Sequence, residues 1–193
     1  MDVQKLTDQE LIKTYLNGHD KAFEVLLKRH QEKIYTSIYL FVKDSEKAND
    51  IFQDVFIKIV DTLRRGKYNH EGKFLQWAMR ISYNMCVDNF RRNKRRTKVS
   101  ATETFDIFDV LESKDDNMEA KMIKSQMHQK VRKLVDQLPP EQKEVVILRH
   151  YADMSFKEIS QLTRVSINTA LGRMRYALIN MRKMANEREL VTA

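Results

Sequence analysis

Apolar side chains recur at intervals of three and four along almost the whole chain, and runs in which polar and apolar residues alternate are missing. A helix needs the first pattern and a strand the second, because side chains return to one face after about 3.6 residues in a helix and after two in a strand. The spacing therefore predicts an all-α fold. Four glycines and two prolines in 193 residues supply little turn chemistry for a sheet protein and point the same way.

The helices can be placed from their ends. Thr7 and Glu10 have the spacing of a capping box, which opens a helix that runs through Leu16 and closes at Gly18. A second helix spans about 20–42. The third starts after Asp44 and Ser45 and carries Ala48, Ile51, Phe52, Val55, Phe56, Ile59 and Leu63 as one apolar stripe, with charge on its other side. Gly66 and Gly72 bound a loop over 64–73, and Phe74 then begins a basic helix with Trp77, Ala78, Ile81 and Met85 on a single face. These four helices are expected to form one compact domain over 1–96.

Over 97–117 the periodicity dissolves and the charge changes sign, with Glu103, Asp106, Asp109, Glu112, Asp115 and Asp116 following Arg91, Arg92, Lys94, Arg95, Arg96 and Lys98. Such composition struggles to offset the entropy of ordering and reads as a flexible acidic linker. Helical spacing resumes near Met118, stops at Pro139-Pro140, and restarts with Pro140 in the first turn of a helix to Tyr151. A second helical domain is expected over 118–187, with a tail over 188–193.

That second domain ends in a helix-turn-helix. Ser155 can cap a short helix with Glu158 reciprocating, Val165 can pack in the turn, and Ser166 can cap a long basic helix whose first residues would enter a major groove. Ala170, Met174, Ala177 and Leu178 would be its buried stripe. Asn168, Leu171, Gly172 and Arg175 are left for base edges, and Arg164, Thr169 and Arg173 mainly for phosphates.

The helix from Phe74 differs in kind. Aromatic and amide groups mixed with cations suit unstacked bases better than closed duplex. Asn84 and Asp88 lie one turn apart on a line that runs to Arg91 and Arg92, with Tyr83 nearby. Trp77 belongs to the apolar stripe and is assigned to the core. The loop residues Tyr68, Asn69 and His70 are better placed to hold a flipped base.

Charge and composition narrow the function classes. A net charge of +8 and a pI near 9.5 favour a polyanionic partner, nucleic acid or an anionic membrane face. No apolar run approaches the roughly 20 residues that span a bilayer, and the N-terminus lacks a signal-peptide layout, so a cytoplasmic location is expected. One cysteine excludes an internal disulfide, and the five histidines have no metal-ligand spacing. Carboxylates without His, Cys or Ser partners at suggestive spacings give no catalytic constellation. The expectation is a non-enzymatic protein without metal, cofactor or small-molecule substrate.

The order of these blocks resembles the bacterial RNA polymerase sigma factors of the extracytoplasmic-function type. The likeness runs from about Thr7 to Lys183, over a region 2-like domain, a linker and a region 4-like domain. Three blocks carry it: Ala48 to Lys58, Phe74 to Arg92, and Leu138 to Arg175. The resemblance implies that Asp50, Gln53, Asp54 and Lys58 contact core RNA polymerase. It also implies that the loop 67–73 and the helix bearing Arg80, Tyr83, Asn84 and Asp88 read an exposed minus-ten strand, with Arg91 and Arg92 on phosphates. Arg164, Ser166, Asn168, Thr169, Leu171, Gly172, Arg173 and Arg175 would then form the minus-thirty-five reader. An anti-sigma factor is an implied partner, and the free chain is expected to be a monomer. Arg164 stands where the family turn commonly has glycine, and Tyr83 where it often has arginine. Two other classes share features with this sequence. A ligand-responsive helix-turn-helix regulator leaves the aromatic-basic helix unexplained, and a helical membrane-surface protein leaves the turn motif unexplained.

Overall fold

A computed structural model describes residues 3–69, 72–96 and 130–192, and every regular element among them is helical. A short 3-10 turn, Val3–Lys5, precedes α1 (Asp8–Leu16), α2 (Asp20–Val42), α3 (Ser45–Arg64) and α4 (Phe74–Arg96). A helix over 130–136, α5, comes next; α6 (Pro140–His150), α7 (Phe156–Thr163) and α8 (Ile167–Thr192) follow. The described residues gather into two compact units, one of α1–α4 and one of α5–α8. The acidic linker and the expected start of the second domain lie outside the described residues.

In the first unit the local signals act as expected. The Thr7 backbone N–H donates to the Glu10 carboxylate at 2.7 Å and the Glu10 N–H donates to the Thr7 hydroxyl at 3.4 Å, closing the capping box. α2 stops at Lys43, which takes a left-handed conformation (φ 56°) and donates its N–H to the Tyr39 carbonyl at 2.8 Å. Asp44 then caps α3 by accepting the Lys47 N–H at 3.0 Å. This two-residue turn lays α3 back against α2. Ala48, Ile51, Val55, Ile59 and Leu63 of α3 are buried, as are Leu26, Ile34 and Ile38 of α2, on which α3 packs. Phe52 and Phe56 sit at its edge in a chain of rings that continues to Tyr35 and Phe23, at centroid separations of 4.8–6.5 Å.

The buried face of α4 is shifted from the expected one. Phe74, Leu75, Trp77, Ala78, Met79, Ser82, Tyr83 and Cys86 are buried, whereas Ile81 and Met85 are half-buried at the margin. The cause is tertiary: α4 packs on both α2 and α3, so two adjoining strips of its surface are covered.

The nine-residue α1 is too short to be stable alone and depends on its anchorage. Asp8 supplies it. Its Oδ1 accepts from Arg29 Nη1 at 2.6 Å and its Oδ2 lies 2.6 Å from His30 Nε2. Arg29 Nη2 also donates to the carbonyls of Gln4 and Leu6, at 3.2 and 2.9 Å. Burial by itself pushes the Asp8 carboxyl up, but the hydrogen bond and charge of His30, joined by Arg29, outweigh it and hold the group below the usual 3.8. A carboxyl depressed on folding contributes stability above its unfolded pKa, and that contribution disappears as pH falls through the lower folded value. Acidification below 3.8 is therefore expected to release α1 before the rest of the unit, at a cost of about 1.5–3 kcal/mol for hydrogen bonds to a charged group. Hydrogen exchange of the α1 amides against pH checks this; in Asp8→Asn the acid-dependent step should vanish, and its persistence there would rule out Asp8 as the source.

In the second unit Pro140 begins α6 and the Pro139 carbonyl accepts the N–H groups of Gln142 and Lys143, both at 3.0 Å. Val145, Val146, Ile147 and Leu148 of α6, Met154, and Ile159 of α7 form the core with Ala170 and Ala177 of α8. The small alanines let the neighbouring helices approach closely. Gln142 and Asn180 join α6 to α8 through a 2.9 Å hydrogen bond. The expected stripe on α8 needs one correction: Met174 is half-buried, but Leu178 is 42% exposed. The buried line steps 170, 174, 177 and on to 181, and Leu178 lies about 100° round the helix from Ala177. Among the described residues no helix is long and apolar enough to cross a membrane.

Candidate nucleic-acid interface

The helix-turn-helix is built from caps. The Ser155 hydroxyl accepts the Glu158 N–H at 3.2 Å while the Glu158 carboxylate accepts from the Ser155 N–H at 2.8 Å. α7 ends at Arg164, whose backbone is left-handed (φ 58°, ψ 41°), and the N–H of Val165 returns to the Ser160 carbonyl at 3.1 Å. The Ser166 hydroxyl then accepts the Thr169 N–H at 3.0 Å and shares a 2.8 Å hydrogen bond with the Thr169 hydroxyl. Asn168, Leu171 and Arg175 are exposed on the leading turns of α8, with Gly172 half-buried between them. Arg164, Ser166 and Thr169 are exposed at the turn. Arg173 differs, because its guanidinium lies 3.5 Å from the Glu144 carboxylate of α6 and its side chain is only 24% exposed. It ties α8 to α6.

On α4 the residues Arg80, Asn84, Asp88 and Arg91 are all exposed, spaced four, four and three apart, so they form one stripe with Arg92 beside it. Asp88 and Arg91 approach to 3.6 Å, but both are well exposed, so the pair is screened and adds little stability. Tyr83 does not join this face. Its side chain is 9% exposed and its ring stands edge-on to Phe41 at 5.7 Å, because position 83 falls on the covered side of α4. Trp77, 7% exposed, is a core residue.

Of the loop before α4, Asn69 is exposed and His70 lies outside the described residues. Tyr68 is half-buried, with its ring 4.6 Å from Trp77 and 6.3 Å from Phe74. Burial, aided by the Asp8 charge, pushes its phenol up to about 12, so it stays neutral. Tyr68 is thus a fixed wall and not a projecting platform. It borders a cleft of about 230 Å³ between α1 and the loop, lined also by Gln9, Ile12, Lys13, Leu16, Leu63, Gly66, Asn69 and Gly72. The α1 residues of this cleft escape sequence reasoning, since only tertiary packing brings α1 to the loop.

The outer face of α3 has a different character. Asp50, Gln53, Asp54 and Lys58 are exposed, and Ile57, 67% exposed, stands among them. Beside it Phe56, Val60, Asp61 and Arg64 line a shallow depression. Ile57 was readable from the sequence as the apolar residue out of step with the α3 stripe. Among the described residues no group of three or more His, Cys, Asp or Glu side chains could hold a metal ion.

A helix-turn-helix on one compact unit and an exposed cationic-amide helix face on another fit a DNA-binding protein. The family described as Sigma-70 region 2 matches residues 26–96, and Sigma-70, region 4 matches residues 128–175. The RNA polymerase sigma-H factor of Pseudomonas aeruginosa is 26% identical over 171 residues, covering 86% of this chain and 88% of that one. The ECF RNA polymerase sigma-E factor of Escherichia coli K12 is 26% identical over 176 residues, covering 89% and 90%. Among solved structures, RpoE of Bartonella quintana in complex with the anti-sigma factor NepR superposes with a TM-score of 0.63 at 15% identity, covering 86% of this chain and 98% of that one. CnrH in complex with the cytosolic domain of CnrY gives 0.60 at 19% identity, covering 93% and 97%. The chain belongs to the ECF-type sigma factors, with sigma-70 regions 2 and 4, and directs transcription initiation. It is a transcription initiation factor.

Proposed function

We propose that the outer face of α3 docks on core RNA polymerase through Asp50, Gln53, Asp54, Ile57 and Lys58. In this assembly α8 enters the major groove of a minus-thirty-five element, with Asn168, Leu171 and Arg175 at base edges and Arg164 on phosphate. The α4 stripe of Arg80, Asn84, Asp88, Arg91 and Arg92, together with Asn69 and the loop around it, holds the opened minus-ten strand. The observation that carries this reading is the presence of two exposed nucleic-acid faces of unlike chemistry, one on each compact unit. A capped helix with Asn and Arg at its start suits closed duplex. A cationic face next to a small apolar cleft suits unpaired bases. Tyr83 and Arg173 are not included, since packing against Phe41 and pairing with Glu144 engage them.

An anti-sigma factor is the expected regulatory partner, as the similar folds CnrH and RpoE were each solved with a protein partner. The free chain is proposed to be a cytoplasmic monomer. Purified protein added to core polymerase should give specific initiation on a supercoiled promoter library with no other initiation factor present. Transcription that appears only when a second sigma factor is supplied would refute the reading and favour a regulator.

A further inference from the structure

The geometry points to α1 as the second wall of the base-receiving cleft, with Gln9 contacting the edge of one unpaired nucleobase and Lys13 the phosphate beside it. This inference rests on the reading of the loop before α4 as a single-strand contact. The cleft floor is apolar, made by Ile12 and Leu63, which are buried, and one side is the Tyr68 ring. Its rim is polar: Gln9 and Lys13 from α1 face Asn69 from the loop, and all three are exposed. At about 230 Å³ it falls below the roughly 300–1,000 Å³ of sites for drug-sized ligands. It has room for one planar ring. A small apolar cleft with the amides of Gln9 and Asn69 in its lining matches a nucleobase, whose faces are apolar and whose edge carries donors and acceptors; an amide side chain can pair with two edge groups at once.

The two walls are held by one cluster. Asp8 seats α1 on Arg29 and His30, the His30 ring lies 5.4 Å from Phe74, and Phe74 in turn backs Tyr68. The cleft width is therefore set by packed and hydrogen-bonded groups and not by the loop alone. Gly66 and Gly72, at φ +63° and +83°, add no side chain to the opening.

The test uses holoenzyme assembled from this chain and core polymerase, presented with a random-sequence pool of single-stranded DNA 12-mers that is selected and sequenced. Gln9→Ala is expected to relax base preference at one position by on the order of tenfold, and Gln9→Glu, which keeps an acceptor but loses the donor, to change which base is preferred there. Lys13→Ala should weaken every sequence alike and reduce the salt slope by about 0.7, the value for one phosphate contact on a single strand. Asn84→Ala, on the α4 face, should alter a different position. Gln9 and Lys13 are exposed, so unchanged thermal melting is expected for both variants. Wild-type selection by the Gln9 and Lys13 variants, with Asn84→Ala impaired, would remove α1 from the site and leave the single-strand reading standing. Wild-type selection by all of them would remove that reading as well.

Discussion

Ile57→Asp is expected to abolish association with core RNA polymerase, if α3 docks there as proposed, while the chain stays folded. Ile57 is 67% exposed, so the substitution deletes no core contact, and surface changes of this kind usually shift stability by no more than about 0.5 kcal/mol. In the proposed complex the same side chain would be the apolar centre of a patch rimmed by the exposed Asp50, Gln53, Asp54 and Lys58. Burying an isoleucine stabilises by about 1.5–3 kcal/mol, and placing a carboxylate in its seat adds the cost of an unpaired buried charge. The two together predict at least about a hundredfold loss of affinity, the scale of an interface hot spot. Asp54→Arg, one turn away, should also abolish binding by reversing the charge at the rim. Labelled-chain titrations with core polymerase measure both variants, and upstream duplex binding by the free chain, expected to be unchanged, controls for folding. Wild-type affinity for polymerase in Ile57→Asp would place the docking surface elsewhere.

The helix ends of this protein were legible in the sequence because capping is local chemistry. Thr7 with Glu10, Asp44, Ser155 with Glu158, and Pro140 each place a donor, an acceptor or a missing N–H within a few residues of the group it serves. The covered side of each helix was less legible, since a periodicity defines a stripe but not how many neighbours press on it. On α3 the two agree. On α4 the double packing against α2 and α3 widens the buried face and draws in Tyr83 and Cys86, which composition alone marks as ambivalent.

The candidate site divides along the same line. Asn84, Asp88, Arg91 and Arg92 could be placed together because they share one helix, and Asn168 and Arg175 likewise. Whatever depends on contact between distant segments was hidden. Arg173 looks like any other arginine of the basic helix until Glu144 of α6 is found 3.5 Å away. Gln9 and Lys13 look like solvated positions of a short helix until the loop before α4 closes a cleft against them. Tyr68 borders the cleft as a wall and not as a free ring, because Trp77 and Phe74 hold it from behind.

Arg164→Gly is expected to make the protein more stable and its upstream DNA binding weaker. Arg164 occupies a left-handed conformation at the end of α7, with φ 58° and ψ 41°, where a side chain costs roughly 1–2 kcal/mol in steric conflict that glycine avoids. Glycine gives back part of that gain, about 0.5–1 kcal/mol, through the greater freedom of its unfolded chain. A net stabilisation of about 0.5–1 kcal/mol remains. The turn thus carries a residue that its backbone disfavours, and the proposed role of exposed Arg164 beside the Ser166 cap, a phosphate contact next to the recognition helix, accounts for what would be gained. Losing one such contact should lower duplex affinity by on the order of tenfold and reduce the salt slope by about 0.9. Arg164→Ala separates the two effects, since it removes the charge and keeps the strain; it should bind as weakly as the glycine variant without its added stability. Arg164→Lys should retain most of the binding at wild-type stability. A glycine variant that melts higher and binds the duplex as tightly as the parent would show that the guanidinium has no part in DNA recognition.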